Sequence, residues 1–140
     1  MIQALKEAQA AAEEGEVPIG CVIVTSRPGR IIARAHNLTE TLKDPTAHAE
    51  MQAITSATAY LGGKYLDKCT LYVTVEPCPM CAAALNWAQI GRIVYGCADP
   101  KRGAGLFSPK LYHPRTEVVS GVLEKESSAL IKDFFSSKRK

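Results

Sequence analysis

The chain has 140 residues, of which 46% are hydrophobic, and its formal net charge is +3. This length predicts a single domain over residues 1–140 with a core of its own, and the mild charge permits a nucleic-acid partner without requiring one. No apolar run reaches the roughly 20 residues of a membrane helix, no secretory leader is visible, and five cysteines, an odd number, argue against a disulfide framework. We therefore expect a cytoplasmic protein without a membrane partner.

The sequence of the first half of the chain predicts a helix, a β-hairpin and a second helix. Apolar residues recur at helical spacing over 2–14, and two apolar strands over 19–24 and 30–37 flank a Pro-Gly turn. The second helix is predicted over about 47–61. Asp44 or Thr46 is expected to cap it, with Pro45 in its first turn.

The second half alternates strands and helices. The predicted elements are a strand over Cys69–Val75, a helix over 79–90 closed by Gly91, a strand over Arg92–Cys97, a long loop over 99–116, a short strand over 117–120 and a final helix. A helix between two apolar strands is the parallel crossover unit. The sequence therefore predicts an α/β fold, a three-layer α-β-α sandwich around a mixed five-stranded sheet.

Two cysteines at the start of the predicted helix over 79–90 have metal-ligand spacing. Cys78 and Cys81 are three residues apart, so both sulfurs lie on one helix face near a terminus whose partial positive charge favours thiolates. His48, at the start of the upstream helix, supplies a third ligand. Three protein ligands with one open position are typical of catalytic zinc. The alternatives are a structural zinc completed by Cys97 or His113, and a redox cysteine pair without metal.

Glu50 lies two residues after the histidine ligand. Two thiolates weaken the pull of zinc on a bound water, so a neighbouring carboxylate is needed to move its proton. The alternative for a glutamate in a first helical turn is a surface charge that the helix dipole stabilises. The adjacent ligand favours the catalytic interpretation.

These two motifs resemble a known signature. His48-Ala49-Glu50 with Pro77-Cys78-Pro79-Met80-Cys81 is similar to that of the zinc-dependent, cytidine deaminase-like superfamily. Within this superfamily, further segments resemble the bacterial tRNA adenosine deaminases. These segments are residues 15–20, 44–50, 71–78, 80–82, 90–96 and 134–135. The resemblance covers nearly the whole chain.

The resemblance implies hydrolytic deamination of adenosine to inosine at the wobble position of a tRNA anticodon. It implies that His48, Cys78 and Cys81 hold one zinc ion per subunit, and that the activated water attacks the carbon bearing the exocyclic amine. Glu50 would shuttle protons while ammonia leaves. The alternative on the same scaffold is deamination of a free base or nucleoside such as guanine, cytosine or cytidine. A third hypothesis, from another class, is a zinc-stabilised binding module without catalysis.

The resemblance also implies substrate contacts. Ala49 would contact the purine edge, Asn37 would hydrogen-bond the flipped-out base, and Asp99 would lie near the sugar. The alternative for both Asn37 and Asp99 is a turn residue. The candidate phosphate contacts for a splayed anticodon stem-loop are basic residues, namely Lys101, Arg102, Lys110, Arg115, Lys138, Arg139 and Lys140. For the tail residues among them, the alternative is a solvated helix end.

The remaining histidines and cysteines are expected to be structural. His36 and His113 are interpreted as non-ligands, and three cysteines in predicted strands as small core hydrophobes: Cys21, Cys69 and Cys97. The alanine-rich helix after Cys81 offers a thin apolar face near Trp87. We therefore expect a homodimer.

Overall fold

The computed structural model describes residues 1–107 and 109–138. The elements in chain order are α1 (Ile2–Glu13), β1 (Gly20–Thr25), β2 (Ile31–His36), α2 (Thr39–Leu42), α3 (Ala49–Leu61), β3 (Cys69–Val75), α4 (Pro79–Trp87), β4 (Arg92–Cys97), a 3₁₀ turn (Ala104–Leu106), β5 (Glu117–Val119) and α5 (Glu124–Lys138). In the described ranges, no helix has the length and apolar character needed to cross a membrane.

The five strands form one mixed sheet in the order β2-β1-β3-β4-β5. β1 pairs antiparallel with β2 and β3, whereas β3, β4 and β5 are parallel. Helices α1 and α5 contact each other on one face of the sheet, and α3 and α4 contact each other on the other. The predicted three-layer α-β-α sandwich with a mixed sheet is confirmed.

The sheet directions bring three chain segments to one edge. β2 and β3 are both antiparallel to β1, and β4 is parallel to β3, so β2, β3 and β4 all point the same way. Their carboxyl ends are followed by Asn37, Glu76 and Ala98 respectively. Clefts outside the carboxyl ends of strands are the usual ligand sites of α/β folds. This edge of the sheet is therefore where a site is expected.

The predicted cap of the second long helix was wrong. α3 begins at Ala49 and not at residue 47, its N-cap is His48, and no side chain caps it. The Asp44 carboxylate instead accepts hydrogen bonds from the backbone N–H and hydroxyl of Thr46, at 2.8 and 2.7 Å, and so closes a local turn. This leaves the imidazole at the helix start free to face the cleft.

The end of α4 also differs from the prediction. The helix ends at Trp87, three residues before the predicted residue 90, because Gln89 adopts a left-handed conformation with φ of 53°. Gly91 still marks a boundary, but its N–H donates to the carbonyls of Leu66 and Cys69, so it joins α4 to β3 and does not cap the helix.

His36, at the end of β2, links the edge strand to α1. Its Nδ1 lies 2.9 Å from Glu7 Oε1, and its Nε2 lies 2.9 Å from Glu14 Oε2. Burial alone would lower the pKa of His36, but hydrogen bonds to the two carboxylates raise it above its ordinary value. This histidine is therefore a structural link between β2 and α1 whose protonated form is favoured by the two carboxylates, which agrees with its interpretation as a non-ligand.

We expect this link to make stability depend on pH. A histidine whose pKa is raised in the folded state adds to the free energy of unfolding. This added stability is fully present below the unfolded pKa of about 6.5 and is lost as pH rises through the folded pKa. His36→Gln should therefore lower the free energy of unfolding by up to about 1 kcal/mol at pH 6 and by less at pH 9. Urea unfolding of both proteins measures this, and an equal difference at the two pH values would contradict it.

Candidate metal centre and cleft

Three candidate metal ligands meet at the starts of two helices. His48 is the N-cap of α3, Cys78 is the N-cap of α4, and Cys81 lies inside the first turn of α4, where it is fully buried. The Nδ1 atom of His48 lies 3.6 Å from the sulfur of Cys78 and 3.4 Å from that of Cys81. The sequence placed these residues on facing helix starts, and the structure brings them together.

The spacing of these atoms fits zinc. With Zn–N near 2.05 Å and Zn–S near 2.3 Å, a tetrahedral site separates nitrogen and sulfur by about 3.6 Å. In residues 1–107 and 109–138, the group of His, Cys, Asp and Glu ligand atoms within mutual reach contains these three side chains and no fourth. Cys97 and His113 are outside it. The donor set is therefore one imidazole and two thiols, with room for one further ligand.

The charges at the metal centre favour thiolate formation. A hydrogen bond from Cys81 is the main cause that lowers the pKa of Cys78 to about 4, and a hydrogen bond with His48 makes a smaller contribution in the same direction. The same hydrogen bond raises the pKa of Cys81, because the pair holds one shared proton. The hydrogen bond with Cys78 also raises the pKa of His48, so the imidazole pairs with the thiolate. A divalent cation that binds here would displace the protons that these three groups hold.

Glu50 lies beside the ligands in the first turn of α3 and is 4% exposed. Burial raises its pKa to about 7. A surface charge stabilised by the helix dipole would be solvated, so this alternative does not describe Glu50. A buried carboxyl group at the wall of a cleft has the position that a general acid and base needs.

A cleft of about 550 Å³ opens over the metal centre. The predicted substrate residues Asn37, Ala49 and Asp99 all line it, and so do Lys101 and Arg102. The other lining residues are Val17, Ile19, Thr39, Pro45, His48, Glu50, Val75, Glu76, Cys78, Pro79, Met80 and Phe107. The carboxyl ends of β2, β3 and β4 therefore supply its walls.

The side chains of Asn37 and Asp99 also make local hydrogen bonds. The Asn37 amide donates to the hydroxyl of Thr39 at 3.4 Å, and Asn37 is 6% exposed. The Asp99 carboxylate accepts the backbone N–H groups of Lys101 and Arg102, each at 3.0 Å. Asp99 thus forms the turn that the alternative interpretation described, although it also lines the cleft.

The other predicted RNA contacts lie outside the cleft lining. Lys110 and Arg115 are exposed in the loop before β5, and Lys138 is the exposed last residue of α5. Arg139 and Lys140 lie outside the described residues. The cysteines Cys21, Cys69 and Cys97 are buried, which confirms their interpretation as core residues. His113 accepts a hydrogen bond from the N–H of Arg115.

Two buried glutamates that the sequence did not predict hold backbone segments in place, and of the two only Glu76 lines the cleft. Glu16 is fully buried, and its carboxylate accepts the backbone N–H groups of Glu40 and Thr41, which fixes the unpredicted helix α2. Glu76 is 8% exposed and accepts the N–H groups of Asp99 and Gly105. Glu16 follows α1 and carries no sequence signal of burial, whereas Glu76 directly follows an apolar strand, at a position where burial is expected.

An open three-ligand zinc site with a buried carboxylate at its side is the arrangement found in zinc-dependent base deaminases. Residues 1–97 match the model of the cytidine and deoxycytidylate deaminase zinc-binding region. The chain therefore belongs to this family of zinc-dependent deaminases, and the predicted zinc cofactor is confirmed.

Within the family, the similarity to one branch covers the whole chain. The tRNA-specific adenosine deaminase of Bacillus subtilis is 48% identical over 145 residues, which cover 100% of this chain and 89% of the relative. A solved structure from a study of adenosine-to-inosine editing by tRNA deaminases at the wobble position superposes with a TM-score of 0.85 and 46% identity, over 93% of this chain and 96% of that one. A guanine deaminase structure from Bacillus subtilis matches over 69% of this chain and 61% of its own, with 41% identity and a TM-score of 0.65.

Proposed function

We propose that this protein deaminates adenosine to inosine, with release of ammonia, at the wobble position of a tRNA anticodon. The observation that carries the proposal is the full-length similarity to tRNA-specific adenosine deaminases at 48% identity. The cleft supports it, because exposed Lys101 and Arg102 stand at the wall of a cavity large enough for a flipped-out base.

The chain's own residues have separate tasks in this reaction. His48, Cys78 and Cys81 would hold the zinc ion, which when bound would lower the pKa of a water molecule so that it is nucleophilic near neutral pH. The buried carboxyl group of Glu50 takes a proton from the attacking water and delivers it to the exocyclic nitrogen, which leaves as ammonia. Asn37 and the backbone N–H of Ala49 orient the base, and the cleft walls limit access of bulk water.

Inosine formation in a tRNA anticodon stem-loop tests this proposal. Zinc-loaded protein should convert the wobble adenosine and leave the other adenosines of the loop intact, as read by nucleoside analysis after digestion. Free guanine, cytidine and adenosine serve as competing substrates, because the partial similarity to a guanine deaminase favours a free base as the second candidate. Rapid turnover of a free base without inosine in the stem-loop would refute the proposal.

The exposed face of α4 supports a homodimer. Trp87 is 83% exposed, and Met80, Ala83 and Ala84 precede it at helical spacing. An apolar strip of this kind is typical of a protein interface. Met80 also lines the cleft, so a second copy bound here would lie at the edge of the site.

Trp87→Glu is expected to convert the dimer into a monomer, because the new carboxylate would be buried without a partner. Sedimentation velocity at micromolar concentration measures the change. Ile2→Glu, at a residue 65% exposed in α1 on the opposite face of the sheet from α4, is the control and should remain dimeric. A wild-type chain that sediments as a monomer would contradict the dimer.

The cellular location follows from the substrate in this proposal. tRNA is processed in the cytoplasm of bacteria, and all five cysteines are free, as a reducing compartment requires. Both observations support a cytoplasmic location, which we propose.

A further inference from the structure

The segment over residues 99–107 forms one wall of the cleft, and one buried side chain holds it. Glu76 directly follows β3, and its Oε1 accepts the N–H of Asp99 at 3.0 Å while its Oε2 accepts the N–H of Gly105 at 2.8 Å. A hydrogen bond from Ala104 N–H to the carbonyl of Pro77, at 2.9 Å, fixes the same segment again. The carboxylate therefore joins both ends of the segment to the strand that leads into Cys78.

Two glycines allow the segment to pass close to this carboxylate. A Cβ atom at Gly103 would collide with the Glu76 side chain, and one at Gly105 would lie 2.8 Å from its Oε2. Among the described residues, no lysine, arginine or histidine forms an ion pair with Glu76. Both oxygens of its carboxyl group therefore have their hydrogen-bond partners in the backbone N–H groups of the segment.

The segment presents groups that suit single-stranded RNA. Lys101 and Arg102 are exposed at the cleft wall, and Phe107 is 48% exposed beside them. Proteins bind single strands without reading their sequence by two means. Cationic side chains contact the phosphates, and exposed aromatic side chains stack on the bases. These groups follow the turn formed by Asp99, whose backbone is held by Glu76.

We propose that Glu76 is a positioning residue that fixes residues 99–107 as the wall contacting the RNA strand beside the reacting nucleotide. Lys101 and Arg102 then neutralise flanking phosphates, and Phe107 stacks on a neighbouring base. This inference rests on the proposed function for its substrate, but the hold of Glu76 on the segment is independent of that substrate.

Glu76→Gln is the first test, because glutamine keeps the size and one acceptor but turns an N–H₂ group toward one backbone donor. We expect KM for an anticodon stem-loop to rise about tenfold to hundredfold. Turnover at saturation should stay within a few fold, and zinc content should remain at one equivalent. The slope of log affinity against log salt should also become shallower, by about 0.7 for each phosphate that the segment no longer neutralises.

Glu16→Gln is the matched control. Glu16 is likewise a buried carboxylate that accepts two backbone N–H groups, but these belong to α2 and not to residues 99–107. This substitution should destabilise the fold to a similar degree and leave the salt dependence of RNA binding unchanged. An equal change of slope in the two variants would show a general effect of destabilisation and would overturn the positioning role.

Gly105→Ala and amide hydrogen exchange test the same contact even if Glu76→Gln does not fold. Gly105→Ala, at an exposed residue, places a methyl group against the carboxylate and should raise KM in the same way. Amide hydrogen exchange measures the hold directly, and the Asp99 and Gly105 amides should lose protection in either variant. Wild-type KM with full protection in both variants would overturn the proposal. If the wild-type chain makes no inosine, the proposed function fails, and amide exchange still decides whether Glu76 holds the segment.

Discussion

Glu50→Gln is expected to lower turnover of the stem-loop by about 10²- to 10⁴-fold, the range typical of removing a general acid and base. Glutamine fills the same buried space, but it cannot take a proton from the attacking water or return one to the leaving nitrogen. Zinc content should stay at one equivalent, because the candidate ligand group is His48, Cys78 and Cys81 and does not include this residue. Single-turnover inosine formation, with metal analysis of the same sample, measures both quantities.

The matched control for this variant is Glu126→Gln. Glu126 also lies in the first turn of a helix, α5, but it is exposed and does not line the cleft. It should keep full turnover. A Glu50→Gln protein with wild-type turnover would refute the catalytic role and would favour the zinc-stabilised binding module, in which this carboxylate has no chemical task.

Cys81→Ser is expected to remove the metal and the activity together. Cys81 is fully buried in α4, and a serine hydroxyl remains protonated where a thiolate is needed. Zinc stabilises a folded chain by about 4 kcal/mol when its free concentration exceeds the dissociation constant roughly 1,000-fold. The wild type should therefore show a large zinc-dependent rise in its thermal midpoint, and Cys81→Ser should show almost none.

Cys97→Ser is the control for this second variant. Cys97 ends β4 and is 9% exposed, but it is not part of the ligand group. It should retain one zinc equivalent and the zinc-dependent rise, even if its core packing is weaker. Loss of zinc in Cys97→Ser would indicate a fourth side-chain ligand and a closed structural site.

The parts of the site that sequence predicted are those that depend on local spacing. Cys78 and Cys81 are three residues apart at a helix start, and Pro79 marks that start, so their shared face follows from helix geometry. The strand Cys69–Val75 was predicted within its observed bounds, because its β-branched residues and the proline after it define both ends. The mixed sheet followed from the crossover unit between β3 and β4.

The parts that sequence did not predict depend on contacts between distant residues. Helix α2 has four residues and lacks a side-chain cap of its own, and the carboxylate of Glu16, 24 residues before Glu40, satisfies its N-terminal N–H groups. The wall over 99–107 depends likewise on Glu76, 29 residues before Gly105. Neither contact has a local pattern, because a buried carboxylate with backbone partners resembles an ordinary surface charge in sequence.

The proposed reaction requires a zinc site that is open at one position. X-ray absorption and anomalous diffraction at the zinc edge, on zinc-loaded crystals, measure the ligands around the metal. We predict one zinc ion per chain, bound by Nδ1 of His48 and the sulfurs of Cys78 and Cys81, with a fourth ligand that comes from solvent or substrate. A fourth ligand from a protein side chain, or no metal at these three residues, would contradict an open catalytic zinc site.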